Sequence, residues 1–452
     1  MNYKNINFKI TLIFSCFLSL GIFGQKFATS PFSSYGIGEF GTLDHPSFGG
    51  IGNANVAAID SINLNFFNPS SYSSLAHGQP LFSTGISTRF STYTENGNSY
   101  KTGLTGINHF ALAIPFARRF GLAFGVKPFA RTGYSINDYT ANGTDTVNYT
   151  YTGNGSFNEV FTGFSVKVLN IKNNKLSLGT NLGYVFGNTT NERLSNLSTL
   201  ISGGIESSKY QIKSIRYDLG LNYILSFNKT SRLVLAGTYS PAQALQTTKD
   251  FGIFYAEDVT DSRTISDTIS SLNEKGQISM PSTMNLGFSY SFRPKVDSSY
   301  NKVKVFQLTF YGAYSATDWS SYKTNFANEN ANTFLNTTKY SAGIEFIPHY
   351  NYFDRTKAIG YFSRIRYKAG FQYATLPLER LSKQLTDMSA SVGLSFPIVS
   401  QRSVSSLNLS FVAGNRGNGD AKSLNEKYYG INFGISIAPG VNDRWFRKYK
   451  ID

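Results

Sequence analysis

Cysteine, long hydrophobic runs and charge are all scarce in this chain of 452 residues. The one cysteine is Cys16, within an N-terminal segment that we expect to be removed. The mature chain would then lack thiols, which excludes disulfides, thiolate metal sites and cysteine nucleophiles. Beyond residue 24, no apolar stretch approaches the roughly 20 residues that a membrane-spanning helix needs. Charged residues form 15% of the chain and aromatic residues another 15%, which is typical of a membrane β-barrel.

The first 24 residues have the features of a secretory signal peptide. Lys4 and Lys9 supply the positive end, residues 10–23 form the apolar run, and small residues precede a predicted cleavage site at Gln25. An alternative is processing as a lipoprotein at Cys16, although the apolar run continues past that residue. The sequence therefore predicts an exported protein.

Apolar residues alternate with small or polar residues along the mature chain, and turns separate the repeats. In the last repeat Gly, Ser and Asn oppose five apolar residues that share one face of a strand: Tyr429, Ile431, Phe433, Ile435 and Ile437. Such a strand can face lipid on one side and a lumen on the other. Because lipid offers no hydrogen bonds, the strands must close on themselves. We therefore predict an all-β fold, a transmembrane antiparallel β-barrel of about 14 strands in the cell outer membrane.

A soluble all-β protein of the periplasm is the alternative fold, but its polar faces would be richer in Lys and Glu. Short predicted connections, assigned to the periplasm, alternate with three long outer loops at 140–155, 194–206 and 251–275. The predicted strands cover approximately 80–92, 99–116, 121–139, 156–170, 176–193, 207–227, 232–250, 276–292, 301–323, 337–350, 362–380, 383–398, 403–417 and 426–439.

Residues 25–79 precede the first predicted strand and show no sustained alternation. They are rich in Gly, Ser, Asn and Phe, and are too apolar to be a free linker. A barrel of this size would leak if its lumen were empty. We therefore expect residues 25–79 to fold into the lumen as a plug, and residues 80–452 to form the barrel with a short periplasmic C-terminal tail.

Four motifs follow one another along the mature chain. They are an N-terminal segment from Gly49 to Leu75 with Asn68-Pro69-Ser70, a proline-preceded strand at Met280-Pro281-Ser282, a Trp-Ser-x-aromatic signature from Trp319 to Tyr322, and a tail from Asp443 to Lys448. Each motif alone is modest, but in order and spacing they resemble the FadL/TodX family of outer-membrane transporters for hydrophobic compounds, in the form common in Bacteroidetes, with the first motif as the family's hatch. Ser70 stands where the family usually has alanine.

The resemblance implies passive uptake of hydrophobic small molecules, such as long-chain fatty acids or aromatic hydrocarbons, sometimes through a side opening at a kinked strand. It marks as hatch or permeation-path residues Phe66, Phe67, Asn68, Pro69 and Tyr72, although Asn68-Pro69 also fits a purely structural turn. The aromatics of the membrane interface or of the family motifs are Trp319, Tyr322 and Trp445. The expected partners are the lipid bilayer, lipopolysaccharide and a hydrophobic ligand such as a fatty acid.

The same resemblance implies an alternative function, because FadL-like barrels of this form also serve as non-transporting subunits of outer-membrane protein secretion or assembly complexes. Partner proteins would then contact the long loops. A general porin or a membrane-barrel enzyme are further alternatives.

Other sequence features do not point to catalysis. The net charge of +15 is scattered over turns and the tail, which favours attraction to anionic lipid headgroups over nucleic acid. The glycine string from Gly36 to Gly41 has neither the preceding strand nor the following helix of a dinucleotide site. The four histidines show no metal-binding spacing, and there is no nucleophile elbow. We expect no catalytic residues, no metal, no cofactor and no nucleic-acid partner.

Overall fold

The computed structural model describes residues 30–40, 45–77, 79–116, 118–143, 145–259, 264–294, 306–326, 334–353, 360–399 and 403–439. The predicted signal peptide (1–24), Cys16 and Trp445 lie outside these residues. No described helix has the length and apolar character needed to cross a membrane.

The described residues form one antiparallel sheet, and its first and last long strands pair with each other. The strands are β1 (Glu39–Phe40), β2 (Leu81–Glu95), β3 (Asn98–Ile114), β4 (Phe120–Asn142), β5 (Asp145–Asn170), β6 (Asn174–Leu197), β7 (Gly203–Ser226), β8 (Ser231–Ser240), β9 (Gln243–Asp258), β10 (Thr264–Met280), β11 (Thr283–Phe292), β12 (Gln307–Thr317), β13 (Lys323–Thr324), β14 (Thr337–Ile347), β15 (Arg366–Arg380), β16 (Lys383–Val399), β17 (Val404–Gly417) and β18 (Asn425–Ile437).

Two strands of the barrel are interrupted at proline, which cannot donate a ladder hydrogen bond. Pro241 separates β8 from β9, and Pro281 separates β10 from β11. The strands β8 and β9 together cross the wall once, because β7 pairs with both of them. The strands β10 and β11 likewise form one crossing. The short strands β1 and β13 add no crossing. The closed antiparallel barrel therefore has fourteen strands, which confirms the prediction.

The two faces of the wall differ as the alternation predicts. On β18 the outward side chains of Tyr429 and Ile437 are 65% and 46% exposed, whereas inward Asn432 and Ser436 are buried. Apolar side chains are exposed in the same way around the barrel. A soluble protein rarely exposes so continuous an apolar band, whereas lipid requires one. The protein is a multi-pass β-barrel of the outer membrane, as predicted.

The structure contradicts the three long loops predicted at 140–155, 194–206 and 251–275. The ladder continues to Asn142 and Asp145 in the first hairpin, and to Asp258 and Thr264 in the third. The prediction was wrong because it ended each strand where the apolar alternation ended. Outside the bilayer both faces of a strand meet water, so pairing continues without alternation, through residues such as Thr and Tyr that favour strands.

Strand length is uneven around the barrel. The strands β4 to β7 are 23 to 26 residues long, whereas β12 and β14 have 11 residues each. A tilted strand needs roughly 9–11 residues to cross the hydrocarbon core. The long strands, together with β9 and β10, therefore project beyond the membrane as a one-sided sheet. We call the parts of β4–β7, β9 and β10 at the long-hairpin end the outer wall, and we assign the opposite, short-turn end to the periplasm.

Candidate functional site within the barrel lumen

The described residues 30–40 and 45–77, called the inner segment below, lie against the inward face of the wall. The 3-10 turn Pro69–Ser74 contacts β4, β5, β6 and β7, and the turn Gly49–Ile51 contacts β14, β15, β16 and β17. These two groups of strands stand on opposite sides of the barrel. The inner segment therefore reaches across the lumen from wall to wall.

Glycines on the inward face allow this close approach. A Cβ atom added at Gly179 of β6 would lie 2.5 Å from the carbonyl carbon of Pro69. A Cβ atom added at Gly50 would lie 2.7 Å from the Cα of Gly393 on β16. Real Cβ atoms do not come this close to backbone, so larger residues would push the inner segment away. The small inward face that suggested a wet lumen is, at these positions, a packing surface.

Asn68 is the most completely hydrogen-bonded of the five predicted hatch or permeation-path residues. Its Oδ1 accepts from the backbone N–H of Ser70 at 3.2 Å and from the Ser70 hydroxyl at 2.7 Å. Its Nδ2 donates to the carbonyl oxygen of Val56 at 2.8 Å and to Asn222 Oδ1 of β7 at 2.9 Å. With Pro69 at the first position, Asn68 caps the 3-10 turn. These contacts fit the structural turn.

The other hatch residues divide between the packed wall contact and an open cavity. The Tyr72 hydroxyl donates to Asn181 Oδ1 of β6 at 2.8 Å, and Asn181 Nδ2 donates to the carbonyl oxygen of Phe66 at 3.1 Å. Tyr72 and Phe66 are buried. Phe67 is 42% exposed and lines a cavity in the lumen. Of the five predicted residues, Phe67 therefore has the placement of a ligand contact.

An ion pair fastens the inner segment to β15. Asp60 Oδ2 lies 2.6 Å from the Arg366 guanidinium, whose Nε donates to the Tyr352 hydroxyl at 2.7 Å. Asn63 Nδ2 donates to the same carboxylate at 2.8 Å. Burial would raise the pKa of Asp60, but Arg366 and these hydrogen bonds outweigh it, so the pKa lies below its usual value. Asp60 therefore stays charged at neutral pH.

A second ion pair holds the inner segment near the outer end. Glu39 Oε1 accepts from Arg416 Nη1 of β17 at 2.5 Å, and Arg416 also contacts Asp387 at 3.3 Å. Burial would raise the pKa of the Glu39 carboxyl, but the guanidinium groups of Arg416 and Arg89 outweigh it and lower the pKa to about 2. Breaking this pair would be costly, because the buried Arg416 guanidinium would lose one of its charged partners.

Asn63 is a hydrogen-bond hub that the sequence did not reveal. Its Oδ1 accepts from the hydroxyls of Ser47, Ser406 and Ser436 at 3.1, 2.7 and 3.0 Å, and from Asn408 Nδ2 at 3.0 Å. Short polar side chains are common on the inward face, so the sequence does not distinguish the partners of Asn63 from other Ser and Asn residues. The charged partners could have been found, since Arg416 interrupts an otherwise small inward face.

Apolar side chains fill the outer half of the lumen. Ile37 and Phe40 of the inner segment pack with inward residues of the wall, and Trp319 and Tyr322 join them. The Trp319 and Phe40 rings lie 5.2 Å apart, and Tyr322 is only 6% exposed. The inward wall residues of this luminal apolar cluster are Ala130, Phe157, Val185, Ile212, Leu245 and Ile278. Trp319 and Tyr322 thus face the lumen, which corrects their assignment to the membrane interface; the chain after β12 turns inward there.

A cavity of about 360 Å³ remains beside this cluster. Phe67 and His45 reach it from the inner segment, and Arg89, Asn285 and Gln372 reach it from the wall. Ligand pockets of this size are usually mostly apolar, with a few polar groups. The lining here includes guanidinium, amide and hydroxyl groups on several strands, so the cavity can hold water or a small polar molecule.

The wall itself has a gap between β3 and β4. These strands pair only from Phe110 to Ile114 of β3, so residues 98–109 have no partner in β4. Pro128 and a bulge interrupt β4 just beyond this point. The inner segment occupies the freed edge of β4, since Glu39 and Phe40 pair with Arg131 and Ala130. The Arg131 guanidinium bridges the gap and donates to the carbonyl oxygen of Ile107 at 3.1 Å.

Two histidines meet in the lumen, although the sequence separates them widely. The rings of His45 and His109 stack with centroids 4.6 Å apart, and both are buried. Burial, with His109 and Lys368 nearby, lowers the pKa of His45 well below its usual value, so this ring is neutral at pH 7. Among the described residues, no group of three or more His, Cys, Asp or Glu could hold a metal ion.

The same fold occurs in solved outer-membrane channels. The monoaromatic hydrocarbon channel CymD is 14% identical, with 89% of this chain and 98% of that chain covered at a TM-score of 0.50. A Pseudomonas aeruginosa FadL homologue is 11% identical, with 88% and 99% covered and a TM-score of 0.52. The P. putida toluene transporter TodX is 14% identical, with 88% and 99% covered and a TM-score of 0.50. The FadL-like architecture is confirmed, and identities this low carry the fold alone.

Sequence comparison identifies the family more directly. No curated protein sequence matches the chain. The family model for BamG matches residues 6–452, which include the whole barrel and the inner segment. The chain belongs to the BamG family.

Proposed function

We propose that this protein is a non-transporting, FadL-like barrel subunit of an outer-membrane protein secretion or assembly complex. The proposal is carried by the way the inner segment is held: it spans the lumen, forms ion pairs with β15 and β17 on one side, and forms hydrogen bonds with β6 and β7 on the opposite side. The Asp60–Arg366 and Glu39–Arg416 pairs hold it at two places. A hatch that must move for each passing molecule would have to break such contacts repeatedly.

The lining of the lumen supports the same proposal. A long acyl chain gains roughly 0.8 kcal/mol for each methylene group that it buries, so a channel for such molecules needs an apolar path. In this lumen the side chains of the luminal apolar cluster pack against one another, and in the lining of the open cavity apolar groups such as Phe67 and Val412 alternate with polar groups such as Arg89. Membership in the BamG family, rather than a high identity to the hydrocarbon channels, agrees with a different role.

The outer wall offers a surface for a partner protein. All residues of β10 from Thr264 to Asn273 are exposed, including Ile265 and Ile269 at 51% and 65%. Within the described part of the chain, β10 pairs with β9 along its length, whereas its other edge pairs only at Ile278 and Ser279. An exposed strand edge can receive a strand of another polypeptide. We propose that a partner of the complex docks along this edge.

Purification in a gentle detergent tests the proposal. A tagged barrel from its own cells should carry a partner in stoichiometric amount, and Ile269→Lys should reduce the recovery of this partner at least fivefold. Tyr139→Lys is the matched control, because Tyr139 is 75% exposed on β4 at the other edge of the outer wall. A wild-type barrel that purifies alone, with lipid or hydrocarbon in its lumen, would contradict the proposal.

Passive uptake of hydrophobic small molecules is the second candidate function, and the gap between β3 and β4 favours it. A molecule could enter the cavity beside Phe67 from the membrane through this gap if Arg131 moved aside. We expect cells without the protein to take up less labelled fatty acid or toluene, and Arg131→Ala to raise uptake. Equal uptake with and without the protein would exclude this function.

A further inference from the structure

A second cavity, of about 220 Å³, lies at the short-turn end of the lumen. Ile51, Asp60 and Ser74 of the inner segment line this cavity, and inward side chains of the wall form the rest of its lining. We call it the periplasmic pocket. Six cationic side chains line it: Lys167, Lys175, Arg232, Arg293, Arg366 and Lys368.

Within the described part of the chain, two of these cations form ion pairs. Arg366 pairs with Asp60 at 2.6 Å, and Lys368 lies 3.5 Å from Glu345. Asp60 and Glu345 are the two acidic residues of the lining. No acidic group of the described residues forms an ion pair with Lys167, Lys175, Arg232 or Arg293. Counted over its described lining residues, the periplasmic pocket therefore carries an excess of four positive charges in a volume that holds a small molecule.

These cations lie close enough to repel one another, and Arg293 is held among them. The positive charges of Arg232 and Arg366 repel that of Arg293. The charge of Lys175 repels that of Lys167 in the same way. Arg293 nevertheless stays in place, because its Nε donates to Gln307 Oε1 at 2.8 Å and its guanidinium lies 4.7 Å from the Tyr350 ring centre. Long Lys and Arg side chains can usually extend their charged ends into water and so move away from one another. The cations of the periplasmic pocket line one small volume instead.

The Ser74 hydroxyl also indicates that the periplasmic pocket is built to receive a ligand. The Ser74 hydroxyl lines the periplasmic pocket and is buried, and it has no hydrogen-bond partner among the described residues. A buried hydroxyl without a partner is costly, so an acceptor in the pocket would stabilise it. The pocket thus presents an unused donor next to unused cations.

We propose that the periplasmic pocket binds a phosphate-bearing anion. A phosphomonoester offsets up to two charges and a phosphodiester offsets one, and both offer more acceptor oxygens in a small volume than a carboxylate does. Guanidinium groups such as those of Arg232 and Arg293 match phosphate oxygens in a forked geometry. The phosphate can belong to a free phosphomonoester or to the headgroup of an inner-leaflet lipid. The site is independent of the proposed role in a protein complex.

Calorimetric titration of the detergent-purified full chain in phosphate-free buffer tests the proposal. We expect inorganic phosphate and glycerol phosphate to bind, and the double variant Arg232→Gln/Arg293→Gln to weaken binding at least tenfold. Arg118→Gln/Lys229→Gln is the matched control, since it removes two exposed cations from short turns at the same end. The control should bind as the wild type does, and all three proteins should show the same heat-modifiable migration on gels.

The outcomes separate the sources of the phosphate. Binding of glycerol phosphate in detergent supports a soluble ligand. Binding that requires nanodiscs containing phosphatidylglycerol, and that the double variant loses, supports a lipid headgroup. No binding in either arm, an equal loss in the control variant, or binding of an acidic peptide in place of phosphate overturns the proposal.

Discussion

At the residue scale, charged side chains decide where the inner segment is held. The alternation predicts which residues face inward, but it gives no information on what they meet there. Arg416 and Lys368 stand out in the sequence because they break a small inward face, so a charged contact could have been predicted for them. The contacts of Asn63 and Asn222 could not have been predicted. Each joins the inner segment to a wall strand that is distant in sequence, and the inner segment has no alternation that would show which of its residues face the wall.

The Glu39–Arg416 pair makes the attachment of the inner segment dependent on pH. The pKa of Glu39 is lowered from 4.5 to about 2 in the folded protein, so its stabilising contribution is present above pH 4.5 and is lost as the pH falls toward 2. The Glu39 side chain keeps 29% of its surface exposed, and solvent screening limits the contribution to about 2 kcal/mol. We expect proteolysis of the inner segment to rise below pH 4.5.

The variant Glu39→Gln should remove this dependence and should be cleaved at pH 6 as the wild type is at low pH. Glu379→Gln is the control, because Glu379 is exposed on β15 and forms no described ion pair. The measurement is the rate of cleavage by an acid-tolerant protease between pH 2 and 6. An unchanged pH profile in Glu39→Gln would show that another group governs the attachment.

At the element scale, period-two alternation predicts the number and order of the strands but not their length or continuity. The motif Met280-Pro281-Ser282 lies inside the predicted strand 276–292, and in the structure it separates β10 from β11, which begins at Thr283. The prediction carries the strand through the proline, as the single crossing does, but begins it at residue 276 rather than at Thr264. The lengths of β5 and β10 could not be predicted either, because the alternation ends at the bilayer while the ladder continues beyond it.

At the interruption at Pro241, the side chain of Gln243 forms the hydrogen bonds that a backbone partner would otherwise form with β7. Gln243 Oε1 accepts from the backbone N–H of Tyr217 at 2.8 Å, and Gln243 Nε2 donates to the carbonyl oxygen of Tyr217 at 3.0 Å. The amide group therefore replaces a backbone partner where β7 passes from β8 to β9. We expect Gln243→Ala to speed hydrogen exchange at the Tyr217 amide at least tenfold, because the N–H then lacks a protein acceptor.

Gln246→Ala is the control for this exchange experiment. Gln246 is exposed on β9 and pairs with Gln277 through its backbone, so its side chain is not needed for the ladder. Exchange at Tyr217 should be unchanged in this variant. Equal protection of Tyr217 in Gln243→Ala would mean that the interrupted strands are held by backbone contacts alone.

At the scale of the whole molecule, the two candidate functions differ in whether the inner segment must move. Uptake through the lumen requires displacement of contacts that cross the barrel, whereas a subunit of a complex uses the outer surface and keeps the lumen closed. The fold is common to both, because closure of the wall and a filled lumen satisfy the membrane in either case. Only the mobility of the inner segment separates them.

A disulfide between the inner segment and β6 would distinguish the functions. The hydroxyls of Ser73 and Ser177 lie 3.2 Å apart, so Ser73→Cys/Ser177→Cys places two thiols within bonding reach, in a mature chain that we expect to be free of cysteine. We expect the oxidised variant to retain its partner within twofold of the reduced form, as a subunit of a complex would. Ser73→Cys alone controls for the substitution. A tenfold loss of hydrocarbon uptake on oxidation, reversed by a reductant, would instead require a moving hatch and would assign the protein to transport.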